Sequence, residues 1–480
     1  MQPKCREFKA HADQALADGR LQAVMRRMGG GFAARRAAAV ARLPEFDALR
    51  DQGRALKDHV LAHLDHYLEA FEAQVVAGGG QVHWCSTAEE ARSTILELCR
   101  AVGARTVVKS KSMIAEEIGL GGFMEDAGLP VIETDLGEYI IQLRREPPSH
   151  LIAPAAHLGR EDVAQTFRAA HPHLDPERIL DAPPALVAEA RQVLRQKFLD
   201  ADVGITGANF LIAETGSTVI VTNEGNGDLG QCLPRTHIVL ASLEKVVPTL
   251  EDAALMLRLL ARSATGQEFS AYATLSTGPR RAGDLDGPQQ FHVVLLDNGR
   301  ADLLGGELQD VLRCIRCGAC INHCPVYGAV GGHAYGWVYP GPIGAALTPA
   351  LIGVHDGAAL ADASTFCGRC ESVCPMRIPL PRLMRQWRER AFAAREVAWT
   401  TRWALRAWAW LALRPRLYGL ATALAMRSLG WLGRGRGRFR TLPGGQAWTR
   451  GRDFPAPQGP TFRALWRERR NAAPDRRMER

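Results

Sequence analysis

The stretch RCIRCGACINHCP (313–325) holds four cysteines within eleven residues, namely Cys314, Cys317, Cys320 and Cys324, and then a proline. Three thiolates at three-residue intervals suit a tight loop around the corner irons of a cubane, whereas the fourth is free to bind elsewhere. Proline has no amide hydrogen and restricts the continuation of the chain. Zinc sites usually take two separated cysteine or histidine pairs, so zinc is the weaker alternative. The spacing predicts an iron–sulfur cluster.

A second run, STFCGRCESVCP (364–375), repeats the first with one thiol missing. Aligned by hand, Ser364 stands where the first run has Cys314. The other positions match, and the second run contributes Cys367, Cys370 and Cys374. In two-cluster ferredoxins the last cysteine of each run binds the other run's cluster.

This crossing predicts two [4Fe-4S] clusters. The first cluster would be held by Cys314, Cys317, Cys320 and Cys374, and the second by Cys324, Cys367 and Cys370. The second cluster then lacks a fourth protein thiolate. Four alternatives stay open for that position: the Ser364 oxygen, a water, a distant cysteine such as Cys232, or a three-iron cluster.

Length and composition limit the class of protein. A chain of 480 residues is too long for one hydrophobic core, so two or three domains are expected. The N-terminal sequence has no apolar core of the kind that a secretory signal needs, and the apolar run LYGLATALAM (417–426) is too short to cross a bilayer. Because seven of the eleven cysteines are clustered, metal or redox chemistry is favoured over disulfides. We expect a soluble, cytoplasmic protein.

The sequence upstream of the cysteines has two kinds of pattern. Residues 5–75 have helical spacing, which Gly29 to Gly31 are expected to break. From residue 80 to about 298, β-rich runs alternate with helical ones, which predicts an α/β domain with a largely parallel sheet. The strand-like runs are QVHWC, TVVKS, PVIETD, YIIQL, STVIVTN, HIVLAS and FHVVLLDNG.

The motif GNGDLG (225–230) has the glycine spacing of a dinucleotide fingerprint. That fingerprint must open a helix and offer an acidic residue about 20 positions farther on. Pro234 follows too soon, and Glu244 comes early. We therefore interpret the motif as a glycine-rich turn that can contact a ligand.

Longer blocks resemble a known family. The blocks are VKSKSMIAEEIGL (108–120), IETDLGEYIIQL (132–143), EPPSHLIAPA (146–155), GITGANFLIAETGSTVIVTNEGN (204–226), GDLDGPQQFHVVLLDNGR (283–300) and WTRGRDFPAPQGPTFRALW (448–466). Together with the two cysteine runs, they are similar to the lactate utilization protein B family of iron–sulfur proteins. The resemblance covers most of the chain.

The resemblance implies an α/β LUD domain with a mostly parallel sheet, like nucleotide-sugar isomerases or CoA transferases. An α-helical two-cluster ferredoxin-like domain and a helical or irregular C-terminal region would follow. The expected division is an N-terminal helical region (1–79), the LUD domain (80–300), the cluster domain (301–390) and a basic, Trp- and Arg-rich region (391–480). The family also implies A-like and C-like partner subunits in the oxidation of L-lactate to pyruvate.

Polar residues collect at the ends of the predicted strands, where ligands of open α/β sheets tend to bind. They are Lys109, Ser110, Lys111 and Ser112, then Glu214 and Thr215, and finally Thr236 and His237. The first group could bind a carboxylate or phosphate, and Glu214 with His237 could form an acid/base pair. Solvated lysines, a capping glutamate and a packed histidine are the favoured interpretation, so no catalytic residue is predicted.

The last hundred residues are strongly basic. From Arg377 onward there are 24 arginines, no lysine and six acidic residues, a net charge of +18 in a chain whose total is +8. Tryptophans interleave with arginines in AWTTRWALRAWAWLALRPRLYGL (398–420), which predicts an amphipathic helix against a peripheral membrane surface, an electron acceptor or the protein's own core. No nucleic-acid reader motif is found, so nucleic-acid binding is not expected.

Two functions follow from these patterns. The favoured one is a non-catalytic electron-transfer subunit of a lactate-oxidising complex. The alternative is an enzyme whose LUD domain acts on a small carboxylate or phosphate ester, with the clusters as an internal electron relay.

Overall fold

A computed structural model describes residues 3–442, 444–449 and 451–472. The chain forms two compact units that meet in sequence at Ala394 and Arg395. The predicted regions 1–79 and 391–480 include positions 1, 2, 443, 450 and 473–480, which lie outside the described residues. The first unit contains the N-terminal helices, the sheet and the cysteine runs.

The N-terminal region is helical, as predicted, with helices α1 (Phe8–Ala17), α2 (Gly19–Ala41), α3 (Phe46–Ala62) and α4 (Leu64–Ala77). Asp18 begins α2 by accepting the backbone N–H groups of Arg20 and Leu21. The predicted break at Gly29 to Gly31 is wrong, because α2 continues through all three glycines. Helix α2 packs against segments from elsewhere in the first unit, and such packing outweighs the weak helix propensity of glycine.

A six-stranded parallel sheet is the centre of the first unit. Its strands are β1 (Gln81–Cys85), β2 (Val107–Lys109), β3 (Val131–Glu133), β4 (Val203–Gly207), β7 (Thr236–Ser242) and β10 (Gln290–Leu296), in the spatial order β1-β10-β7-β4-β2-β3. Every residue of β4 and β7 is buried. Strands covered on both faces have continuous apolar runs, which is why HIVLAS and FHVVLL lack polar alternation. The predicted α/β fold with a parallel sheet is confirmed.

A second sheet has four strands in the order β8-β5-β6-β9. They are β5 (Phe210–Ile212), β6 (Ser217–Thr222), β8 (Val246–Val247) and β9 (Tyr272–Ser276). Strands β5 and β6 form an antiparallel pair, as do β6 and β9. The run STVIVTN is therefore a strand, but it belongs to this smaller sheet.

The helices of the sheet region are α5 (Ala88–Ala101), α6 (Met113–Glu117), α7 (Leu120–Asp126), α8 (Leu136–Arg144), α9 (Arg160–Ala170), α10 (Pro183–Leu199), α11 (Asn226–Cys232) and α12 (Leu250–Ala264). Helix α8 contains YIIQL, so the prediction of a strand there is wrong. Asp135 caps α8 by accepting the N–H groups of Gly137 and Glu138. This cap outweighs the β propensity of the two isoleucines.

The cysteine runs lie among five helices, α13 (Ala319–Asn322), α14 (Pro325–Val330), α15 (Gly341–Gly357), α16 (Arg369–Val373) and α17 (Leu380–Ala393). The stretch Gly341–Asp362, which includes α15, is long and apolar enough to cross a membrane by length and composition alone. Of the apolar 18-residue segment within this stretch, 56% is buried inside the protein. Helix α15 bends at Gly353, whose φ is 88°, and packs against α13 and α17.

The second unit begins at Arg395 and is mostly helical. It contains α18 (Trp399–Ala412), α19 (Pro415–Gly433), β11 (Arg438–Phe439), α20 (Gln446–Thr449), β12 (Phe454–Pro455) and α21 (Phe462–Ala472). Strands β11 and β12 pair antiparallel. Helix α18 has no buried residue, and Trp399, Trp403 and Trp408 are exposed. The predicted alternative of core packing for this helix is therefore not what the structure has.

Candidate iron–sulfur site and sheet-edge cavity

Four cysteines from the two runs line one internal cavity. They are Cys314, Cys317, Cys320 and Cys374. The rest of the wall is largely apolar and includes Leu151, Ile343 and Met376. The spacing of the cysteines predicts that these four thiols are the ligands of the first cluster. The burial and the apolar wall suit a cluster held away from water.

The thiols of this group influence one another. Burial raises the pKa of the Cys374 thiol to about 11, and the neighbouring Cys314 contributes to the rise. The pKa of the Cys320 thiol is raised well above its ordinary value by burial first and then by Cys314 and Cys317. Several thiols crowded in an apolar site resist deprotonation until a cation compensates the charge, as iron does when it binds thiolate.

The other three clustered cysteines form a second group. Burial and the nearby thiols of Cys324 and Cys367 raise the pKa of Cys370 to about 12. Cys367 is exposed, and its thiol pKa is lowered, chiefly by the backbone N–H of Arg369. Cys370 also raises the pKa of Cys320 in the first group. Helices α13 and α16 are in contact, so the two groups are neighbours.

The backbone around Ser364 repeats the backbone around Cys314. The sulfur of Cys314 accepts the N–H of Arg316 at 3.4 Å, and the Ser364 hydroxyl oxygen accepts the N–H of Phe366 at 3.1 Å. Arg316 and Phe366 have φ values of 58° and 53°, which non-glycine residues rarely adopt. In both runs a cysteine and a glycine of positive φ follow, and then a short helix. Ser364 therefore occupies the position of a ligand in the repeat.

Cys232, the distant alternative for a fourth ligand, lies elsewhere. It is exposed at the end of α11, which packs on strands of both sheets. The cavity that it lines contains none of the clustered cysteines. The charges that influence its thiol are those of Asp286 and Asp228.

Two arginines of the N-terminal helices reach the end of the second run. Arg50 donates to the backbone oxygen of Cys374 through Nε at 3.1 Å and Nη2 at 2.7 Å, and to that of Ser372 at 2.8 Å. Arg36 donates to the oxygen of Val373 at 2.8 Å, and its charge influences Cys317 and Cys374. These arginines fix the loop and bring positive charge to the first group of thiols.

The thiols do not converge as they would around one metal ion. Among residues 3–442, 444–449 and 451–472, no group of three or more His, Cys, Asp or Glu side chains could hold a single ion. A zinc ion needs its sulfur ligands about 2.3 Å away. A multi-iron cluster spreads its ligands more widely, so the arrangement fits a cluster better than zinc.

A network of buried charges joins the sheet to the first cysteine run. Glu117 pairs with Arg300 at 2.7 Å and accepts the Tyr339 hydroxyl at 2.6 Å. Arg300 also pairs with Glu244 at 3.1 Å. Burial raises the pKa of the Glu244 carboxyl, but the charges of Arg300 and Arg316 outweigh this and lower it to about 2.

A cavity of about 470 Å³ opens at the carboxyl edge of the parallel sheet. Residues that follow β2, β3, β4 and β7 line it, among them Lys111, Asp135, Asn209 and Lys245. Arg316 of the first cysteine run forms another part of the wall. The carboxyl edge of an open parallel sheet is where ligands bind in such folds, and the volume is ordinary for a small-molecule site.

The predicted polar residues have different surroundings. Lys109 is fully buried among Glu116, Glu133 and Glu138, with its Nζ 2.9 Å from the Glu133 carboxylate. The expectation that it is either solvated or ligand-binding is therefore wrong. Burial opposes the charge of Lys109, but the three carboxylates raise its pKa well above the usual value.

Lys111 lines the cavity, where its Nζ donates to the Ile152 oxygen at 2.9 Å and lies 3.5 Å from the Asp135 carboxylate. Ser112 lines the cavity too, and its hydroxyl caps α6. Ser110 is buried and donates to the Asn226 oxygen. This group is thus divided between the cavity wall and the core.

Glu214 and His237 do not form an acid/base pair, because no hydrogen bond or ion pair joins them in the described part of the chain. Glu214 accepts the N–H of Leu250 at the start of α12. His237 is buried beside Thr206 and Phe291, and burial lowers its pKa to about 3. The favoured interpretation of a capping glutamate and a packed histidine is confirmed.

The glycine motif at 225–230 opens α11, a helix of only seven residues. Gly225 has a φ of 72°, and a Cβ on Gly204 would lie 1.9 Å from the Gly230 oxygen. These glycines therefore permit a turn and a close backbone approach. Glu224 and Asn226 line the cavity, which agrees with a turn that can contact a ligand.

Sequence reasoning missed Arg316 and Lys245, which the fold brings to the same cavity. Arg316 lies between two cysteines of the first run, and Lys245 lies three residues after the buried run HIVLAS. Two signals in the sequence were available: a charged residue inside a cysteine run, and another shortly after a fully buried strand.

Comparison with known proteins gives three matching families. The LUD domain matches residues 68–296, the 4Fe-4S dicluster domain 310–378, and the family described as "Lactate utilisation protein B, C-terminal" 393–471. Lactate utilization protein B of Lysinibacillus sphaericus is 40% identical over 470 residues, covering 96% of this chain and 97% of the relative. The protein of that name from Geobacillus sp. is 44% identical over 438 residues, covering 90% and 91%.

The uncharacterized electron transport protein YkgF of Escherichia coli is 40% identical over 463 residues, which are 96% of each chain. Among solved structures, a DUF162 family protein from Deinococcus radiodurans is 16% identical and covers 48% of this chain and 98% of its own. Its TM-score of 0.27 is too low to support a fold comparison.

Proposed function

Because this chain belongs to the lactate utilization protein B family, and is thereby an iron–sulfur protein of lactate utilization, we propose that it is an electron-transfer subunit in the oxidation of L-lactate to pyruvate. The observation that carries this proposal is the contact between helices α13 and α16, which brings the loops of the two cysteine runs together. Two redox centres held by neighbouring loops make a short path for single electrons.

Two clusters are proposed, with the ligand sets that the spacing predicts. The first is held by Cys314, Cys317, Cys320 and Cys374, the four thiols of one cavity. The second takes Cys324, Cys367 and Cys370. When bound, each cluster supplies a one-electron redox centre. The chain's own part is to bury the first centre and to donate N–H groups to its sulfur ligands, as Ile378 does to Cys374 at 3.5 Å.

Ser364 is proposed as the fourth ligand of the second cluster. Its hydroxyl accepts the same type of i+2 N–H bond as the sulfur of Cys314, with the same positive φ at the donor residue. The backbone at Ser364 thus has the conformation of a ligand loop, although serine stands in the place of cysteine. Neither a water nor a three-iron centre requires that conformation, and Cys232 lies on another part of the fold.

Two partner subunits are part of the proposal. We expect an A-like and a C-like subunit of the same pathway, and no nucleic acid. We expect a cytoplasmic location, because seven of the eleven cysteines are clustered in runs suited to metal binding, and a reducing compartment keeps such thiols out of disulfides. Co-purification of a tagged chain from lactate-grown cells tests the partners: recovery without either subunit would contradict the assignment.

The basic C-terminal region is proposed to contact an anionic membrane surface. Helix α18 exposes Trp399, Trp403 and Trp408 beside arginines, a composition typical of interfacial helices. The full chain should co-sediment with vesicles that contain anionic lipid, and a variant with serine at these three tryptophans should do so less. Equal recovery of both proteins with the vesicles would contradict a membrane contact and favour a protein acceptor.

The main test is anaerobic purification followed by iron and sulfide analysis and EPR. Two cubanes correspond to about eight irons per chain, and a cubane with a three-iron centre to about seven. The purified chain should accept electrons from a chemical reductant but should not oxidise L-lactate with an artificial acceptor. Turnover without partners would overturn the carrier assignment, and an iron-free, zinc-containing protein would overturn the redox function.

A further inference from the structure

The wall of the sheet-edge cavity contains polar atoms that have no hydrogen-bond partner among the described residues. They are Nε and Nη1 of Arg316, Nδ2 of Asn226 and Oγ1 of Thr222. All three residues line the cavity. Buried donors without acceptors are costly, and native proteins retain them chiefly where a ligand, an ion or water completes the set. Four such atoms around one cavity therefore point to a ligand.

The side chain of Arg316 is 9% exposed, and its ion-pair partner in the described part of the chain is Glu244 at 3.4 Å. Its guanidinium lies over the ring of Tyr339, 4.8 Å from the ring centre. This stacking and the ion pair hold the plane of the guanidinium in place, while Nε and Nη1 stay unpaired. A fixed guanidinium with unpaired N–H groups is suited to the two oxygens of a carboxylate.

Lys245 supplies a second cation to the same wall. It is 6% exposed, and no hydrogen bond reaches its Nζ within the described residues. The carboxylate nearest in sequence, Glu244, already pairs with Arg300 and Arg316. Positive charge thus exceeds negative charge at this side of the cavity, which favours an anionic occupant.

A cluster bound near Cys314 would balance part of this charge. It would not supply hydrogen-bond partners for Asn226 Nδ2 and Thr222 Oγ1. Thr222 is the last residue of β6 and Asn226 the first of α11, both away from the cysteine runs in sequence. They line the cavity together with apolar residues such as Ile140 and Leu151. The cavity therefore offers a cationic side, separate polar groups and apolar walls. This combination is typical of sites for small organic acids rather than for a bare ion.

We infer that the cavity between the carboxyl edge of the sheet and the first cysteine run binds a small organic carboxylate, whose charge is held by Arg316 and Lys245. The inference goes beyond electron transfer, because a carrier needs no such site. It gives the LUD domain a binding function beside the first cluster. Asn226 and Thr222 would bind the polar group at the other end of the ligand.

Calorimetric titration of the anaerobically purified, cluster-loaded full chain tests this inference, with L-lactate, pyruvate and inorganic phosphate as separate probes. We expect saturable binding of at least one carboxylate at concentrations up to about 10 mM, and weaker binding of phosphate. Lys245→Gln should weaken carboxylate binding about ten-fold or more. The matched control Lys197→Gln, at an exposed lysine of α10, should leave it unchanged.

Asn226→Asp is the second variant, because it keeps the shape of the side chain and places a negative charge in the cavity. It should also weaken carboxylate binding about ten-fold or more, with iron content and melting temperature as for the unaltered chain. Absence of binding by either carboxylate, binding unaffected by both variants, equal loss in Lys197→Gln, or tighter binding of phosphate would each overturn the inference.

Discussion

Arg316 Nη2 lies 3.4 Å from Glu244 Oε1, so an ion pair joins the loop of the first cysteine run to the residues that follow the central strand β7. The partners are only 9% and 2% exposed. Arg316 follows Cys314 by two residues, and Glu244 directly precedes Lys245, which lines the cavity. The same carboxylate thus helps to position the cluster loop and the cation that we assign to ligand binding.

Glu244→Gln should destabilise the first unit by about 3–5 kcal/mol, because it removes the carboxylate that compensates two buried arginines. Anaerobic urea unfolding followed by circular dichroism measures the change. The control is Glu69→Gln at an exposed position of α4, which should change stability by less than about 0.5 kcal/mol. Equal stability of the two variants would contradict a structural role for the network.

The pH dependence of stability should differ between the unaltered chain and Glu244→Gln. The pKa of Glu244 is lowered from 4.5 to about 2 in the folded state. An acid with a lowered pKa contributes stability that is present above its unfolded pKa and is lost as pH falls through the folded value. The stability difference between the two proteins should be constant near neutrality and should shrink as pH falls from 4.5 towards 2. A difference that stays constant over this range would contradict the lowered pKa.

Much of the sheet could be predicted because β1, β2, β3, β7 and β10 are short apolar runs bounded by turns. The run YIIQL has the same composition but forms a helix, since Asp135 caps its N-terminus and Tyr139, Ile140 and Ile141 are buried in the helical conformation. The continuous helix through Gly29 to Gly31 depends on contacts with segments hundreds of residues away. Local propensity carries no information about such contacts.

The prediction that Cys374 joins Cys314, Cys317 and Cys320 rested on spacing and on the exchange of last cysteines between the runs of two-cluster ferredoxins, and the structure places these four around one cavity. The cavity beside them could not be found in this way. Arg316 and Lys245 are about 70 residues apart in sequence, and each looks like an ordinary surface charge until the fold buries both. Their role in ligand binding is inferred from the hydrogen-bond partners that their side chains lack, and these can be seen only in a structure.

Arg36→Gln should lower the reduction potential of the first cluster. The Arg36 guanidinium donates to the Val373 oxygen, and its positive charge acts on Cys317 and Cys374. Removing a nearby positive charge makes the addition of an electron less favourable, by on the order of tens of millivolts. An EPR-monitored redox titration measures the shift. Arg35→Gln, at the adjacent exposed arginine, is the control, and the same shift in both variants would contradict the assignment.

Ser364→Cys and Ser364→Ala should have different effects on the iron content of the second cluster. The cysteine variant supplies a thiolate at the ligand position of the repeat, and should keep four irons in that cluster with an altered EPR spectrum. The alanine variant removes the only side-chain oxygen at that position, and should convert the cluster to a three-iron form that is paramagnetic when oxidised. Iron analysis should show about seven irons per chain for this variant and about eight for the cysteine variant.

Ser372→Ala is the matched control, because Ser372 lies in the same run and its hydroxyl donates to the Arg369 oxygen rather than facing the ligand position. Its spectrum and iron content should equal those of the unaltered chain. If Ser364→Ala also keeps the unaltered spectrum, a water completes the second cluster and the serine is not a ligand. If the unaltered chain already has the three-iron spectrum and Ser364→Cys converts it to a four-iron cluster, the position is suited to a ligand but the serine oxygen does not bind iron.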